Sequence, residues 1–478
     1  MRSAETIDTV VVIGGGISGL SSAFYLQKLA RESGQEIRIV LVEGEDHLGG
    51  KINTLHKDGF VIEKGPDSFL ARKLAIIDLA QDLGIEDELV ATNQKASKTY
   101  IMNKLHLHPM PPGLVLGIPT DIIRFLQSEL ISPEGKLAAL ADLLKEARPA
   151  ERDESLGGFL ARRIGTELVA KIAEPLLAGI YAGDLYKLSL NATFPQFAQS
   201  EQKFGSVIVG SRHNKRVADA QNNGKKPVTF MTFRKGLSTM VDALEKALST
   251  ITLQLNSKVD RLEKSTDGYI VHLQGGAQLQ AKGVIMTTPA FVSSKLLNPY
   301  INTEALANIR YVSVANVVMA FDRASFGVDF DGSGFLVPRS EGLHITACTW
   351  TSNKWLHSSP EDKVLLRCYV GHSEDQQSVK LDDESLIAAV REDIRKSVGV
   401  TVEPIFTEIT RLNHSMPQYP IGHVDAIRNM RIELSAQLPG VWVTGAAFDG
   451  VGLPDCIRQG KAGAQIMLDY LEEVAIRQ

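Results

Sequence analysis

Residues 9–13, Thr-Val-Val-Val-Ile, form an apolar run that stops at Gly14, Gly16 and Gly19, and a second such run, Ile37 to Val42, stops at Glu43. Bounded runs of this length predict buried strands, here joined by a glycine turn and a helix. A turn at Gly65-Pro-Asp-Ser-Phe69 and a helix over Ala75 to Leu83 follow. The pattern then gives a strand from Thr99 to Leu107, ended by Pro109, Pro111 and Pro112. From Leu114 to about Gly183 the chain reads as helical throughout. Within that stretch Leu156, Phe159, Leu160, Ile164, Leu168 and Ile172 recur at helical steps behind a capping Ser155, a stripe that predicts core packing, with a lipid-touching surface helix as the alternative. Residues 211–227, rich in Lys, Arg, Asn and Gln, predict a solvated loop.

Beyond Thr229 helix and strand alternate again. A helix is expected over Phe233 to Leu248, then short strands near Leu253, at Val259 to Leu262, Tyr269 to Leu273 and Val284 to Met286, with Gly275-Gly276 in a hairpin. Val312 to Phe321, Phe335 to Val337, Ile345 to Trp350 and Val364 to Val370 predict a second, mixed sheet with helices on one face. Near the end a buried strand, Val441 to Val443, precedes a turn at Gly445 and a glycine-lined helix start, Gly450 to Asp455.

A chain of 478 residues is too long for one core, so two or three domains are expected. A net charge of −5 argues against general nucleic-acid binding. Three scattered cysteines supply neither a disulfide framework nor a zinc spacing, which predicts a reducing, cytoplasmic home. The uncharged stretch between Asp8 and Lys28 holds three consecutive glycines and three serines, which fits a strand and turn better than a membrane span or signal peptide. The protein is therefore expected to be soluble or peripheral to a membrane.

The chemistry begins at the first turn. Gly14, Gly16 and Gly19 have the Gly-x-Gly-x-x-Gly spacing that lets backbone approach a pyrophosphate at a helix N-terminus, where Ile17 and Ser18 present free N–H groups, and Glu43 stands where a carboxylate accepts the adenosine ribose hydroxyls. An ordinary glycine-rich turn is the competing reading. Gly49-Gly50-Lys51, just after Glu43, favours FAD over NAD, because a second glycine pair passes beside the phosphates with a cation one residue on. A turn with a solvated lysine remains the alternative for that loop. The C-terminal helix start offers its N–H groups and dipole to the electron-rich end of a reduced flavin ring. No nucleophile triad, metal cluster or catalytic carboxylate pair stands out, and lone histidines such as His108, His344 and His414 read as structural or exposed.

Two glycine-lined helix starts at opposite ends of the chain, with Val259 in a strand between them, resemble the FAD-binding domain of the amine oxidase and phytoene desaturase superfamily. The passages Gly65 to Phe69, His108 to Pro111, Glu174 to Gly183, Ser415 to Tyr419 and Gly450 to Ile457 narrow the likeness to the porphyrinogen oxidases of heme synthesis, nearest their Gram-positive bacterial branch. The resemblance runs from about Thr9 to Leu471. It implies an α/β fold with a discontinuous Rossmann-like FAD-binding domain (7–90, 228–295 and 408–478), a mixed-sheet substrate domain (91–112 and 296–407) and an all-helical insertion (113–227) that faces a membrane in some readings. It further implies noncovalent FAD on Gly14, Gly16, Gly19, Glu43, Gly49, Gly50 and Lys51, with Val259 at the adenine. Gly65, Pro66, Asp67, Ser68, Gly445, Gly452, Leu453, Pro454 and Cys456 are then placed around the ring.

Relatives commonly carry Arg where Lys51 stands, and the mitochondrial enzymes carry an Arg near Thr99, so their substrate contact does not transfer. The aromatic that sandwiches the tetrapyrrole falls near Trp350, Ile180 lies in a matching passage, and Arg72 with Lys73 is the candidate pair for substrate propionates, a solvated pair of charges being the alternative. The implied reaction is oxygen-dependent, six-electron oxidation of coproporphyrinogen III to coproporphyrin III with peroxide release. The flavin carries the chemistry and no protein acid or base is needed. Molecular oxygen, the porphyrinogen and a downstream heme-pathway enzyme or membrane surface are the implied partners. Protoporphyrinogen IX oxidation, another amine oxidase or desaturase activity, and a non-enzymatic escort protein on the same fold are the alternatives.

Overall fold

The computed structural model describes residues 7–149, 152–221 and 228–477. Five parallel strands lie in the order Thr252–Gln254, Ile37–Val42, Asp8–Ile13, Gly283–Met286 and Val441–Val443. Val10 pairs with Ile39 and Val12 with Ile285. Alternate side chains face opposite sides of the sheet, and both sides are covered, which is why these strands read as unbroken apolar runs. Val10, Val12, Leu41 and Ile285 share a core with the helices Ile17–Ser33 and Leu453–Arg477. Val11, Val40, Val284 and Met286 pack instead with the antiparallel strands Val259–Ser265, Gly268–Leu273 and Gln278–Ala281 and with the helices Ala290–Leu297 and His423–Gln437. The Gly275-Gly276 hairpin joins two of those antiparallel strands, as expected.

A mixed seven-stranded sheet runs in the order Phe406–Pro417, Tyr311–Asp322, Lys363–Val370, Ile345–Trp350, Gly332–Leu336, Lys98–Asn103 and His106–Pro109. Its pairs are antiparallel except that between Gly332–Leu336 and Lys98–Asn103. The single strand expected over Thr99 to Leu107 is two strands. Lys104 and Leu105 adopt φ of 54° and 59° and reverse the chain without a glycine to announce it.

The helical stretch opens with a small hairpin, Leu114–Val115 against Ile118–Pro119, before its first helix, Ile122–Leu126. The predicted stripe is core: Leu156, Phe159, Leu160, Ile164, Leu168 and Ile172 are fully buried, and Ser155 caps its helix by accepting from Gly158 N at 3.1 Å. The lipid-facing alternative for these side chains is thereby set aside. Inside this bundle Arg163 and Asp142, both fully buried, pair through Nε and a carboxylate oxygen.

Two other expectations change. The solvated loop over 211–227 is helix as far as Gln221, the end of Val207–Gln221, and the remainder, 222–227, lies outside the described residues. Phe233 ends a strand, Phe230–Phe233, and the helix begins only at Ser238, after a turn through Gly236 at φ 88°. Among the described residues no helix is long and apolar enough to cross a membrane.

Candidate cofactor and substrate cavity

The carboxyl ends of the parallel strands open into a cavity of about 1240 Å³ that continues under the mixed sheet. Typical single-ligand pockets span roughly 300–1,000 Å³, so this one has room for two molecules end to end. Each glycine of the first turn has its own reason. Gly14 adopts φ 108° and donates its N–H to Val42 O at 2.8 Å. A Cβ on Gly19 would sit 1.8 Å from Gly14 O, so this position exists for helix-on-turn packing. A Cβ on Gly16 would meet nothing within 4 Å, because it points into the cavity. Gly16 caps the helix Ile17–Ser33 without a side-chain bond, and the first turn holds no acidic residue, which leaves free N–H groups for an anion.

Glu43 lies beside that turn. Its carboxylate accepts from Gly15 N at 2.6 Å and from Glu45 N at 2.8 Å. The second glycine pair docks directly on the first turn: Gly49 N donates to Gly15 O at 2.9 Å, and Gly49 and Gly50 adopt φ of 98° and 59°. Lys51 then reaches across to donate to Ser415 O. It shows surface to the cavity while protein crowds round it, and that burial pulls its ammonium pKa below the ordinary lysine value.

The C-terminal helix start closes this end. Gly460 lets it approach the first helix so closely that a Cβ there would lie 2.9 Å from Ser18 O. Cys456 faces Lys51, and burial pushes its thiol up to about 11, so it is neutral near pH 7. Gly65 to Ser68 form another wall. Burial would raise the Asp67 carboxyl, but Lys354 at 3.2 Å, Arg367 and Ser68 outweigh it and hold it at about 2.

Of the expected cofactor residues, Gly14, Gly16, Ile17, Ser18, Glu43 and Val259 line the cavity, as do the residues of 49–51 and 65–68 and Gly452, Leu453 and Cys456. Gly19, Gly445 and Pro454 do not line it; Gly19 packs on Gly14 O and Gly445 lies against Ser18 and Thr287. Among the substrate candidates Ile180 lines the cavity, whereas Arg72, Lys73 and Trp350 do not. Lys73 pairs with Asp455 at 2.5 Å on the C-terminal helix start, and Arg72 is exposed.

The Trp350 expectation fails by parity. The register shifts between Ile345 and Ala347, where Thr346 and Ala347 both line the cavity; beyond it Thr349 lines the cavity while Cys348 and Trp350 belong to the opposite core. There Trp350 stacks on Phe330 with centroids 3.9 Å apart. On the next strand Tyr369, paired with Ala347, lines the cavity, as does Tyr311 farther across the sheet. Trp350→Leu is therefore expected to lower Tm while leaving substrate KM within about twofold. Tyr369→Leu should do the reverse, and paired melting and steady-state assays distinguish the two.

Sequence reading also missed Arg339, His372 and Arg367 in the lining. Arg339 pairs with Glu374 at 2.5 Å and Glu174 at 3.4 Å and donates to Gly183 O at 2.7 Å. Burial, opposed by Arg339, raises the Glu174 carboxyl, and burial lowers His372. Arg367 interrupts an otherwise apolar strand, Val-Leu-Leu-Arg-Cys-Tyr-Val, and that interruption was the available signal.

The sequence model of flavin-containing amine oxidoreductases matches residues 17–468. This chain belongs to that family. It is 44% identical to coproporphyrinogen III oxidase of Bacillus subtilis (strain 168), over 97% of this chain and 98% of that protein. It is 39% identical to coproporphyrinogen III oxidase of Staphylococcus aureus (strain NCTC 8325 / PS 47), over 97% and 99% respectively. A crystal structure from Exiguobacterium sp. 255-15, assigned as a protoporphyrinogen oxidase, superposes with a TM-score of 0.86 at 37% identity, covering 98% of this chain and 99% of that one. As a flavin-containing amine oxidoreductase the protein is a flavin-dependent oxidoreductase. The cavity suits such a cofactor: the bare backbone at Gly16 and the uncapped helix start accept an anionic group, with Glu43 and Lys51 flanking them.

Proposed function

We propose that the protein oxidises coproporphyrinogen III to coproporphyrin III, with noncovalent FAD in the cavity and oxygen as terminal acceptor. The observation that carries the reading is near-full-length similarity to coproporphyrinogen III oxidases at 44% and 39% identity. In this reading the pyrophosphate rests on the N–H groups after Gly16, the ribose on Glu43 and the adenine on Val259, while residues 65–68 and 452–456 border the ring. The flavin, when bound, supplies the hydride acceptor and passes electrons to oxygen, so that one porphyrinogen and three oxygen molecules give one porphyrin and three of peroxide.

The chain's residues hold and orient. Leu176, Ile180, Leu336 and Met416 supply an apolar wall that excludes water from the macrocycle, and Tyr369 presents a ring beside it. Arg339 and His372 stand nearest in kind to what propionates need. Arg72 and Lys73 do not line the cavity: Arg72 is exposed and Lys73 is held by Asp455. Cys456, a neutral thiol, fits a cofactor held without a covalent bond. All three cysteines are free, in keeping with a cytoplasmic setting.

Protoporphyrinogen IX is the second reading, favoured by the assignment of the Exiguobacterium protein. Side-by-side steady-state kinetics with products identified by chromatography decide between them. The expected result is a kcat/KM at least about tenfold higher for coproporphyrinogen III, equivalent to ~1.4 kcal/mol of discrimination. A higher value for protoporphyrinogen IX overturns the first reading.

A further inference from the structure

Behind the wall formed by Asp67 and Arg367 lies a second, small space of about 20 Å³, enough for one water molecule. Much of its wall is apolar, from Val61, Ile62, Val318 and Leu365, but Glu63, Asp67, Thr232, Trp355, His357 and Arg367 also line it. Three of their polar atoms, Thr232 Oγ1, Trp355 Nε1 and Arg367 Nε, are buried without a hydrogen-bond partner. Buried polar groups are normally paired, and three of them on one water-sized space is the arrangement that binds an ordered water.

Arg367 connects this space to the main cavity, because it lines both. Its Nη1 donates to Glu63 O at 2.8 Å, its Nη2 donates to Gly65 O, and its guanidinium lies 5.1 Å from the Tyr369 ring centroid. Thus it clamps the backbone leading into the Gly65–Ser68 wall. The unpaired Nε is the donor left over.

We propose that this space is a built site for one water molecule, held by Trp355 Nε1, Arg367 Nε, Thr232 Oγ1 and the Glu63 carboxyl group, and that through it Glu63 positions Arg367 and the cavity wall. The guanidinium stays charged at all working pH values, so the variable partner is Glu63. Burial pushes its carboxyl up to about 7, against the lowering effects of Leu237 N at 2.6 Å, Thr54 Oγ1 at 3.0 Å and Arg367. Asp67 adds to the rise. His357, the other titratable group on the space, is lowered by burial and by Arg234. Above neutral pH the Glu63 carboxylate accepts from the water and draws it toward itself. Below, the neutral acid relaxes that pull on Arg367.

The inference rests on the flavin site and not on the identity of the substrate, and its readouts need no turnover. Crystals of the flavin-loaded protein, diffracting well enough to place solvent, are expected to show one water within hydrogen-bonding distance of the three orphaned atoms; a dry space overturns the proposal. In solution the visible spectrum of the bound flavin, titrated from about pH 5.5 to 8.5, is expected to show one transition near pH 7. Glu63→Gln keeps an acceptor for Leu237 and Thr54 but cannot titrate, and should abolish that transition. Should this variant not fold, Thr232→Val, near-isosteric and lacking Oγ1, is expected to move the midpoint. A transition that persists unchanged in either folded variant assigns it to another group, such as His357, and overturns the role of Glu63.

Discussion

Gly16→Val is expected to give folded protein without flavin. Gly16 has φ −72° and ψ 178°, an extended conformation that a β-branched residue adopts readily, and its Cβ direction is open to 4 Å. The added side chain therefore costs the fold little and fills the volume over the helix N-terminus. We expect flavin affinity to fall by about a thousandfold, ~4 kcal/mol, with activity lost in proportion. Gly19→Val, three residues on, should instead fail to fold, since its Cβ would lie 1.8 Å from a carbonyl oxygen. Circular dichroism and flavin absorbance on the pair separate the two roles. Full flavin occupancy in folded Gly16→Val would remove the pyrophosphate from this turn.

Breaking the ion pair inside the helical bundle should strongly destabilise the protein. Arg163 is fully buried and donates to Asp142, to Asp142 O at 3.0 Å, to Gly205 O at 2.7 Å and to Glu201 at 3.2 Å. Asp142 is held in turn by Ser206 Oγ and by Ile208 N at 2.9 Å. Arg163→Met leaves that carboxylate buried beside an apolar chain, which costs about 3–5 kcal/mol. Replacing both, with Asp142→Leu, removes the stranded charge and should recover part of the loss. Denaturation midpoints of the parent, single and double variants test this, and a single variant as stable as the parent would show the pair to be dispensable.

How much was legible in the chain depended on whether period and punctuation agreed. At 9–19 and 37–43 they did: apolar runs of strand length met glycines that only a tight turn and a phosphate approach require, and the observed strands are Asp8–Ile13 and Ile37–Val42. At Lys104-Leu105 a hairpin reverses through non-glycine residues, so nothing in the pattern marked it. Residues 211–221 look like loop by composition yet are helix: they extend Val207–Gln221 from a start packed on Pro195–Phe204 at Gly210 and Ser200, and the exposed extension adds one bond per residue and a Lys215–Asp219 pair. The substrate half was the least readable. Whether Thr349 or Trp350 faces the cavity is a parity set by neighbouring strands, and Arg339 reaches the cavity from a short turn at 339–341 with no periodicity at all.

The parallel sheet takes its central strand from residues 8–13 and its edge strand from 441–443, while the helix whose start lines the cavity begins at Leu453. During synthesis the Gly14–Gly19 turn therefore leaves the ribosome well before the helix start that faces it across the cavity. At about 5–20 residues per second the turn waits tens of seconds for its counterpart. In the proposed reading, cofactor capture then waits for the helix that begins at Leu453, and a cell short of flavin would accumulate apoprotein in which both halves of the cradle are already made.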